Sequence, residues 1–314
     1  MVLILAIALG AAILAGLKCY RFITGRSLIP DILDSLRLEG RSLESWDAAC
    51  AENPHRADII VCLTSTPARL PRLDRTLKSL MAQSTVPLRI RLHIPRVSIR
   101  EGRPYKIPPR LSALRSVEIV RCDDLGPVTK LLPALRDLPP DQAILIVDDD
   151  SLYPPTMIAD FSRALGELPA QALALSGHVV PPDLTDRPDT LWSLVTQQPP
   201  AAVLATRQRV PVPVDILRGC DGYLVRPRFF NLEAISDYRG APPAARWVDD
   251  VWISAHCLAP KYVTPARRMP FYSLRDWFFF ERSALHRLNN PPDADRRANT
   301  VLIRFFARHW MCSQ

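Results

Sequence analysis

Apolar positions along this chain follow three different patterns. From Val2 to Leu17 they are unbroken, VLILAIALGAAILAGL, with no polar face and no charge before Lys18. From residue 57 to about 180 they come in short bursts of alternating period. ADIIVCLT (57–64) has the pattern of a buried strand. In STPARLPRLDRTLKSLMAQ, which follows, Leu70, Leu73, Leu77, Leu80 and Met81 recur at helical spacing. LRIRLHI (88–94) sets apolar residues against Arg89, Arg91 and His93, a strand with one wet face. VEIV (117–120) predicts a third strand and GPVTKLLPALRDL a connecting helix or turn. AILIV (143–147) is a fourth strand, continuously apolar as central parallel strands are. Helical PPTMIADFSRAL and strand-like ALALSG (172–177) follow it. Beyond 180 prolines interrupt the pattern, and WVDDVWISAHCL (247–258) is the next helix-like stretch.

Strands alternating with helices imply an α/β fold with a mostly parallel central sheet flanked by helices. The first apolar run is a separate matter. It falls slightly short of the ~20 residues that cross hydrocarbon, but Cys19, Tyr20, Phe22 and Ile23 extend it if Lys18 and Arg21 snorkel. A cleaved signal peptide would carry a basic segment ahead of the run, so residues 1–23 are expected to be a transmembrane helix. Lys18, Arg21 and Arg26 follow it closely, and basic flanks stay on the cytoplasmic side. The N-terminus is then outside and the rest of the chain cytoplasmic. Polar residues 24–56, with Pro30, Gly40, Pro54 and a short helix at DILDSLRL, read as a stalk. A large domain fills 57–290. In the tail (291–314), Val301, Leu302, Phe305 and Phe306 stand beside Arg296, Arg297, Arg304 and Arg308. Such a basic amphipathic helix suits either an anionic membrane surface or packing on the domain.

Composition narrows the partners. The chain has 314 residues, 48% hydrophobic, which argues against disorder. Its net charge of +8 is mostly arginine and suits nucleotide phosphates or acidic lipids. Basic residues do not interleave with aromatics, so nucleic acid is not expected. Cys19, Cys50, Cys62, Cys122, Cys220, Cys257 and Cys312 are scattered, odd in number and without a CxxC pair, which favours a reducing compartment.

The chemistry gathers at AILIVDDDSLYPP (143–155). Asp148, Asp149 and Asp150 would lie at the carboxyl end of a central strand, where α/β sheets bind ligands. Carboxylates this close need a cation, or one must keep its proton. Mg²⁺ is commonly held by one or two carboxylates plus substrate phosphates, so a divalent metal is the simplest answer. Asp249 and Asp250 open a predicted helix, where one acid can cap the helix and a carboxylate can also serve as a general base.

ILIVDDD resembles the strand and DxD signature of GT-A-fold, family-2-like glycosyltransferases. Four further stretches agree in order: VCLTSTPARLPRLDRTLKSLMAQ with its SL..Q ending at Gln83, DDLGPVTKLLPAL, GCDGYLVRP and WVDDVWIS. The resemblance spans about 57–290 and implies a GT-A, Rossmann-like fold, a nucleotide-sugar donor (UDP-sugar first), Mn²⁺ or Mg²⁺, and an inverting transfer. It implies donor contacts at Thr64, Ser65, Arg69, Asp124, Lys130, Asp148 and Asp149. It places the metal on Asp148, Asp150 and His286, the acceptor side at Gly219, Asp221 and Gly222, and the base at Asp250 with Asp249 beside it. The family's second strand often ends in an acidic run, whereas LHIPRV ends this one, which hands the base contact to Asp123 or Asp124. WISAHC stands where an Arg-rich acceptor motif is usual. A glycan or lipid-linked acceptor at the bacterial inner membrane completes the expectation. Two alternatives remain: a nucleotidyltransferase acting on sugar phosphates, although TSTPARLP lacks a Gly-rich triphosphate loop, and a non-catalytic membrane-tethered nucleotide-sugar binding protein.

Overall fold

Four of the apolar bursts become adjacent strands: β1 (Arg56–Thr64), β2 (Val86–Pro95), β3 (Val117–Cys122) and β4 (Ala143–Ile146). The structure is a computed structural model and describes residues 1–273, 279–280, 291 and 293–310. β1 pairs in parallel with β2 on one side and with β4 on the other, and β2 pairs in parallel with β3. ALALSG is two strands, not one: β6 (Ala172–Ala174) and β7 (Ser176–His178) lie in different sheets. The chain turns out of register at Leu175, whose N–H bonds Gly222 and whose carbonyl bonds Ala205. Short strands that local patterning does not announce are β5 (Ser151–Leu152) and, in the proline-rich half, β8 (Val203–Leu204), β9 (Val212–Pro213), β10 (Ile216–Leu217), β11 (Tyr223–Val225), β12 (Lys261–Val263) and β13 (Phe271–Tyr272).

The central sheet runs β3-β2-β1-β4-β11-β6-β12-β9. β11 enters antiparallel between β4 and β6, and β9 closes the edge antiparallel to β12, while the other strands run parallel. The α/β expectation of a mostly parallel sheet therefore holds. Strand order reverses direction at β1, which puts a switch-point crevice at the carboxyl ends of β1 and β4.

The helices are α1 (Val2–Thr24), α2 (Leu28–Glu39), α3 (Leu43–Glu52), α4 (Asp74–Met81), α5 (Pro109–Ser112) and α6 (Leu132–Asp137). After them come α7 (Met157–Glu167), α8 (Leu191–Thr196), α9 (Leu232–Ser236), α10 (Asp249–His256) and α11 (Ala298–Phe305). α1 is exposed along nearly all its length and apolar enough to cross a membrane.

Residues 24–56 do not stand off as a free spacer. They carry α2 and α3, whose Leu38, Leu43, Trp46 and Cys50 are buried in the core of the domain. Asp47 on α3 accepts hydrogen bonds from the N–H groups of Arg115 and Ser116, both at 2.8 Å. Leu38 at the end of α2 and Leu43, Trp46 and Cys50 along one side of α3 are enough to fasten a segment that reads as polar overall. The tail behaves similarly. Leu302, Ile303, Phe306 and Trp310 are buried, and Phe306 meets the Trp252 ring of α10 at 5.4 Å. Among the large apolar side chains described there, Phe305 is left exposed.

Candidate active site

The acid triplet is held in place by α4. Thr76 donates its hydroxyl to the carbonyls of Asp149 and Ser151 at 2.9 and 3.0 Å. Ser79 accepts from the Tyr153 N–H at 3.1 Å. Gln83 donates to the Pro154 carbonyl at 2.9 Å and accepts from the Ile158 N–H at 3.2 Å. The polar residues of α4, with Gln83 just beyond its end, thus satisfy the loop backbone, while Leu77 and Leu80 are fully buried. Tyr153 adds a clamp: its hydroxyl accepts from the Asp148 N–H at 2.9 Å and donates to the Asp148 carbonyl at 3.1 Å.

The three acids have different surroundings. Asp149 is buried and accepts from the Ser65 hydroxyl at 2.6 Å and from Arg69 at 2.8 Å. Its oxygens are therefore occupied by the β1 loop, and it anchors that loop. Asp148 forms a 2.7 Å ion pair with Lys130, and Asp150 lies 3.4 Å from Arg69. These two keep 31% and 20% of their side chains exposed, toward the cavity. Burial and the neighbouring Asp149 push the Asp150 carboxyl up to about 7, against the pull of Arg69.

The second acid cluster faces the same space. Asp249 pairs with Lys130 at 2.7 Å, so this lysine sits between acids from two unconnected segments. Burial works against the charge of Lys130, but Asp148, Asp249 and Asp250 outweigh it and hold the ammonium well above its ordinary range. Asp250 accepts the Gly219 N–H on both oxygens, at 3.0 and 3.1 Å. Burial first, then repulsion from Asp249, raises the Asp250 carboxyl to about 7. A side chain at Gly219 would displace the ion-pair groups: a Cβ would lie 2.5 Å from the Lys130 Nζ and 2.9 Å from an Asp250 oxygen.

These groups line a cavity of about 510 Å³ at the switch point. Thr64, Ser65, Arg69, Asp124, Lys130 and Asp148–Asp150 all reach its wall, as do Asp249 and Asp250. Thr64 donates its hydroxyl to the His93 carbonyl at 2.8 Å. Asp124 shapes the loop by accepting from the N–H groups of Ile99 at 2.7 Å and Gly126 at 2.8 Å. Asp123 lines a different cavity. Gly219, Asp221 and Gly222 do not line the site cavity. Asp221 is buried and bonded to the Ser176 hydroxyl, with Arg218 at 3.5 Å. Gly222 takes φ +90° to lead the chain into β11. His286 lies outside the described residues.

Sequence reasoning missed Tyr105, His178, Arg218 and Tyr272, which also line the cavity. Tyr105 donates to the Ser65 carbonyl at 2.9 Å from forty positions away, a contact no local pattern signals. Tyr153 could have been suspected from its place just after the triplet.

Among the described residues, no group of three or more His, Cys, Asp or Glu side chains is arranged to hold a metal unaided. Asp148 and Asp150 nevertheless offer partly exposed hard oxygen donors, and five carboxylates stand near Arg69 and Lys130. That donor set fits a Mg²⁺ or Mn²⁺ ion that takes its remaining ligands from substrate phosphates and water.

No family model matches the chain, and no curated protein matches it. Similar solved structures include S. aureus TarS 1-349, at 13% identity and TM-score 0.45 over 80% of this chain and 71% of that one. The same TarS fragment in complex with UDP gives TM-score 0.43 at 13% identity, with the same shares covered. A 4-diphosphocytidyl-2C-methyl-D-erythritol synthase gives TM-score 0.41 at 13% identity over 71% of this chain and 97% of that one.

Proposed function

We propose that the protein is a glycosyltransferase. It moves a sugar from a nucleotide-sugar to an acceptor hydroxyl at the cytoplasmic face of a bacterial inner membrane, with α1 as the anchor. One observation carries the reading: Asp148–Asp150 and Asp249–Asp250, a hundred residues apart, meet across Lys130 in one switch-point cavity. A binding module has no use for a second acid cluster opposite the first.

The donor diphosphate lies by Asp148, Asp150 and Lys130 in this reading, with the ribose against the β1 loop and Asp124. When bound, the divalent cation neutralises the diphosphate and eases its departure. Lys130 adds a fixed positive charge where the leaving group gains negative charge. The acceptor oxygen attacks the anomeric carbon, and the bond from that carbon to the diphosphate oxygen breaks with its electron pair on the phosphate. The hydroxyl proton passes to Asp250, whose raised carboxyl is matched to neutral pH. A single base on the acceptor side implies inversion.

Full-length protein with a panel of nucleotide-sugars, UDP-sugars first, tests the reading. Mn²⁺- or Mg²⁺-dependent release of the nucleoside diphosphate is the expected result. A panel that gives neither release nor metal-dependent nucleotide affinity overturns it.

A further inference from the structure

A second cavity, of about 450 Å³, lies between the end of α1, the length of α2 and the β5–β13 ribbon. Exposed Ile32 and Leu36, buried Leu152 and Phe271, and Tyr272 line it, with the Arg75–Glu39 ion pair also in its wall. Tyr272 also lines the catalytic cavity, so the two spaces share a wall. β5 begins one residue after Asp150, and Leu152 pairs with Phe271. The groove is thus built on the strand that follows the acid triplet.

Ile32 and Leu36 also belong to an apolar face. Ile29, Ile32, Leu33 and Leu36 recur at helical spacing along α2 and are all exposed, Leu36 at 64%. α8, which also contacts α1, shows Leu191, Trp192 and Val195, with Trp192 74% exposed. Phe22 near the end of α1 lies under Arg207, 3.7 Å from ring centroid to guanidinium carbon. Two elements in contact with the apolar helix therefore present large apolar side chains, one of them a tryptophan, a residue type that membrane interfaces enrich. Exposed apolar residues elsewhere, such as Leu88 and Leu258, are scattered singly and need no explanation. In the groove's wall Arg26 stacks on Tyr272 at 4.5 Å and pairs with Asp221 at 3.9 Å, so the groove also carries polar groups.

We infer that the acceptor is a membrane lipid, whose apolar chain enters this groove from the bilayer and whose polar end reaches the catalytic cavity past Tyr272. The inference rests on the glycosyltransferase reading. The α2 and α8 faces lie on the bilayer beside α1, and the groove lets one lipid chain leave the bilayer beside the catalytic acids. The fit is chemical: Leu28, Ile32, Leu36, Leu38, Leu152 and Phe271 offer apolar wall for the chain, and Arg26 and Tyr272 offer cationic and hydrogen-bonding groups for the head.

The full chain in nanodiscs containing phosphatidylglycerol with a diazirine on an acyl carbon close to the glycerol provides the test. After irradiation and peptide mapping, adducts are expected on Leu152 and on Phe271 or Tyr272, strand residues the flat bilayer does not reach. Ile32→Trp and Leu36→Trp, which fill the groove from exposed positions, should remove those adducts, whereas Leu258→Trp on a remote surface should retain them. Adducts confined to α1 and the outer face of α2, or groove adducts that survive both filling variants, overturn the inference. Metal-dependent UDP affinity of the parent, measured in the same nanodiscs, separates the two levels. Its presence with an unlabelled groove removes only the lipid route; its absence, together with no nucleotide release from any nucleotide-sugar of the panel, removes the transferase reading whatever the adduct map.

Discussion

Two acidic clusters face one cavity and are built in opposite ways. The triplet is a loop fixed by its backbone: Thr76, Ser79, Gln83 and Tyr153 bond its main chain, and Asp149 is committed to Ser65 and Arg69. That leaves Asp148 and Asp150 held from behind, with oxygens toward the cavity. The pair opens α10, and its side chains are fixed instead, Asp249 by Lys130 and Asp250 by the Gly219 N–H. A rigid frame with open oxygens suits ligand binding. A carboxyl held by one backbone donor, and raised by burial, suits proton transfer. The same residue type does two jobs because its partners differ.

The largest expected effect falls on the pair. Asp250→Asn keeps the shape and loses the base, so transfer should fall by roughly 10²–10⁴-fold, the usual scale for a general base. In the parent, kcat/KM should climb with pH up to about 7 and level off above it, since the unprotonated carboxyl is the active form. The variant should lose that dependence. A pH profile unchanged by the substitution would place the base elsewhere.

Next in size is the lysine that joins the clusters. Lys130→Met leaves Asp148 and Asp249 without their shared cation. Chemical denaturation should show a loss of about 3 kcal/mol, the low end for breaking a buried pair because Asp148 keeps contact with water. A variant as stable as the parent would mean that the two acids do not depend on the lysine.

A smaller effect concerns pH and stability. Folding raises the Asp150 and Asp250 carboxyls to about 7, while in the unfolded chain they titrate near 4. Between those values the folded state holds protons that the unfolded state has released. Ligand-free protein should therefore lose stability as pH rises from about 4 to about 7 and change little from this source above it. Melting temperatures across that range check the sign, and Asp250→Asn should flatten part of the slope.

Legibility in the sequence followed the range of the interactions. β4 and the Ile59–Leu63 part of β1 were readable because both faces are buried and their residues are continuously apolar. α4 was readable from Leu70 to Met81 through its 3.6-residue spacing, although its first turn is a separate 3-10 turn over Leu70–Arg72. The two- and three-residue strands of the C-terminal half were not, because pairing such as Tyr223 with Ile146 or Phe271 with Leu152 joins distant segments and leaves no periodic trace. Within the site, the acids announced themselves by adjacency. Tyr105 and Arg218 reach the cavity through the fold alone, and Asp221 in GCDG looked like a cavity residue but is bonded inward to Ser176.

The most direct test of this division of labour is UDP affinity by calorimetry, with and without Mn²⁺, on the parent, Asp150→Ala and Asp250→Asn. The account predicts metal-dependent binding in the parent, its loss in Asp150→Ala, and its retention in Asp250→Asn. Retention in Asp150→Ala with loss in Asp250→Asn would contradict it.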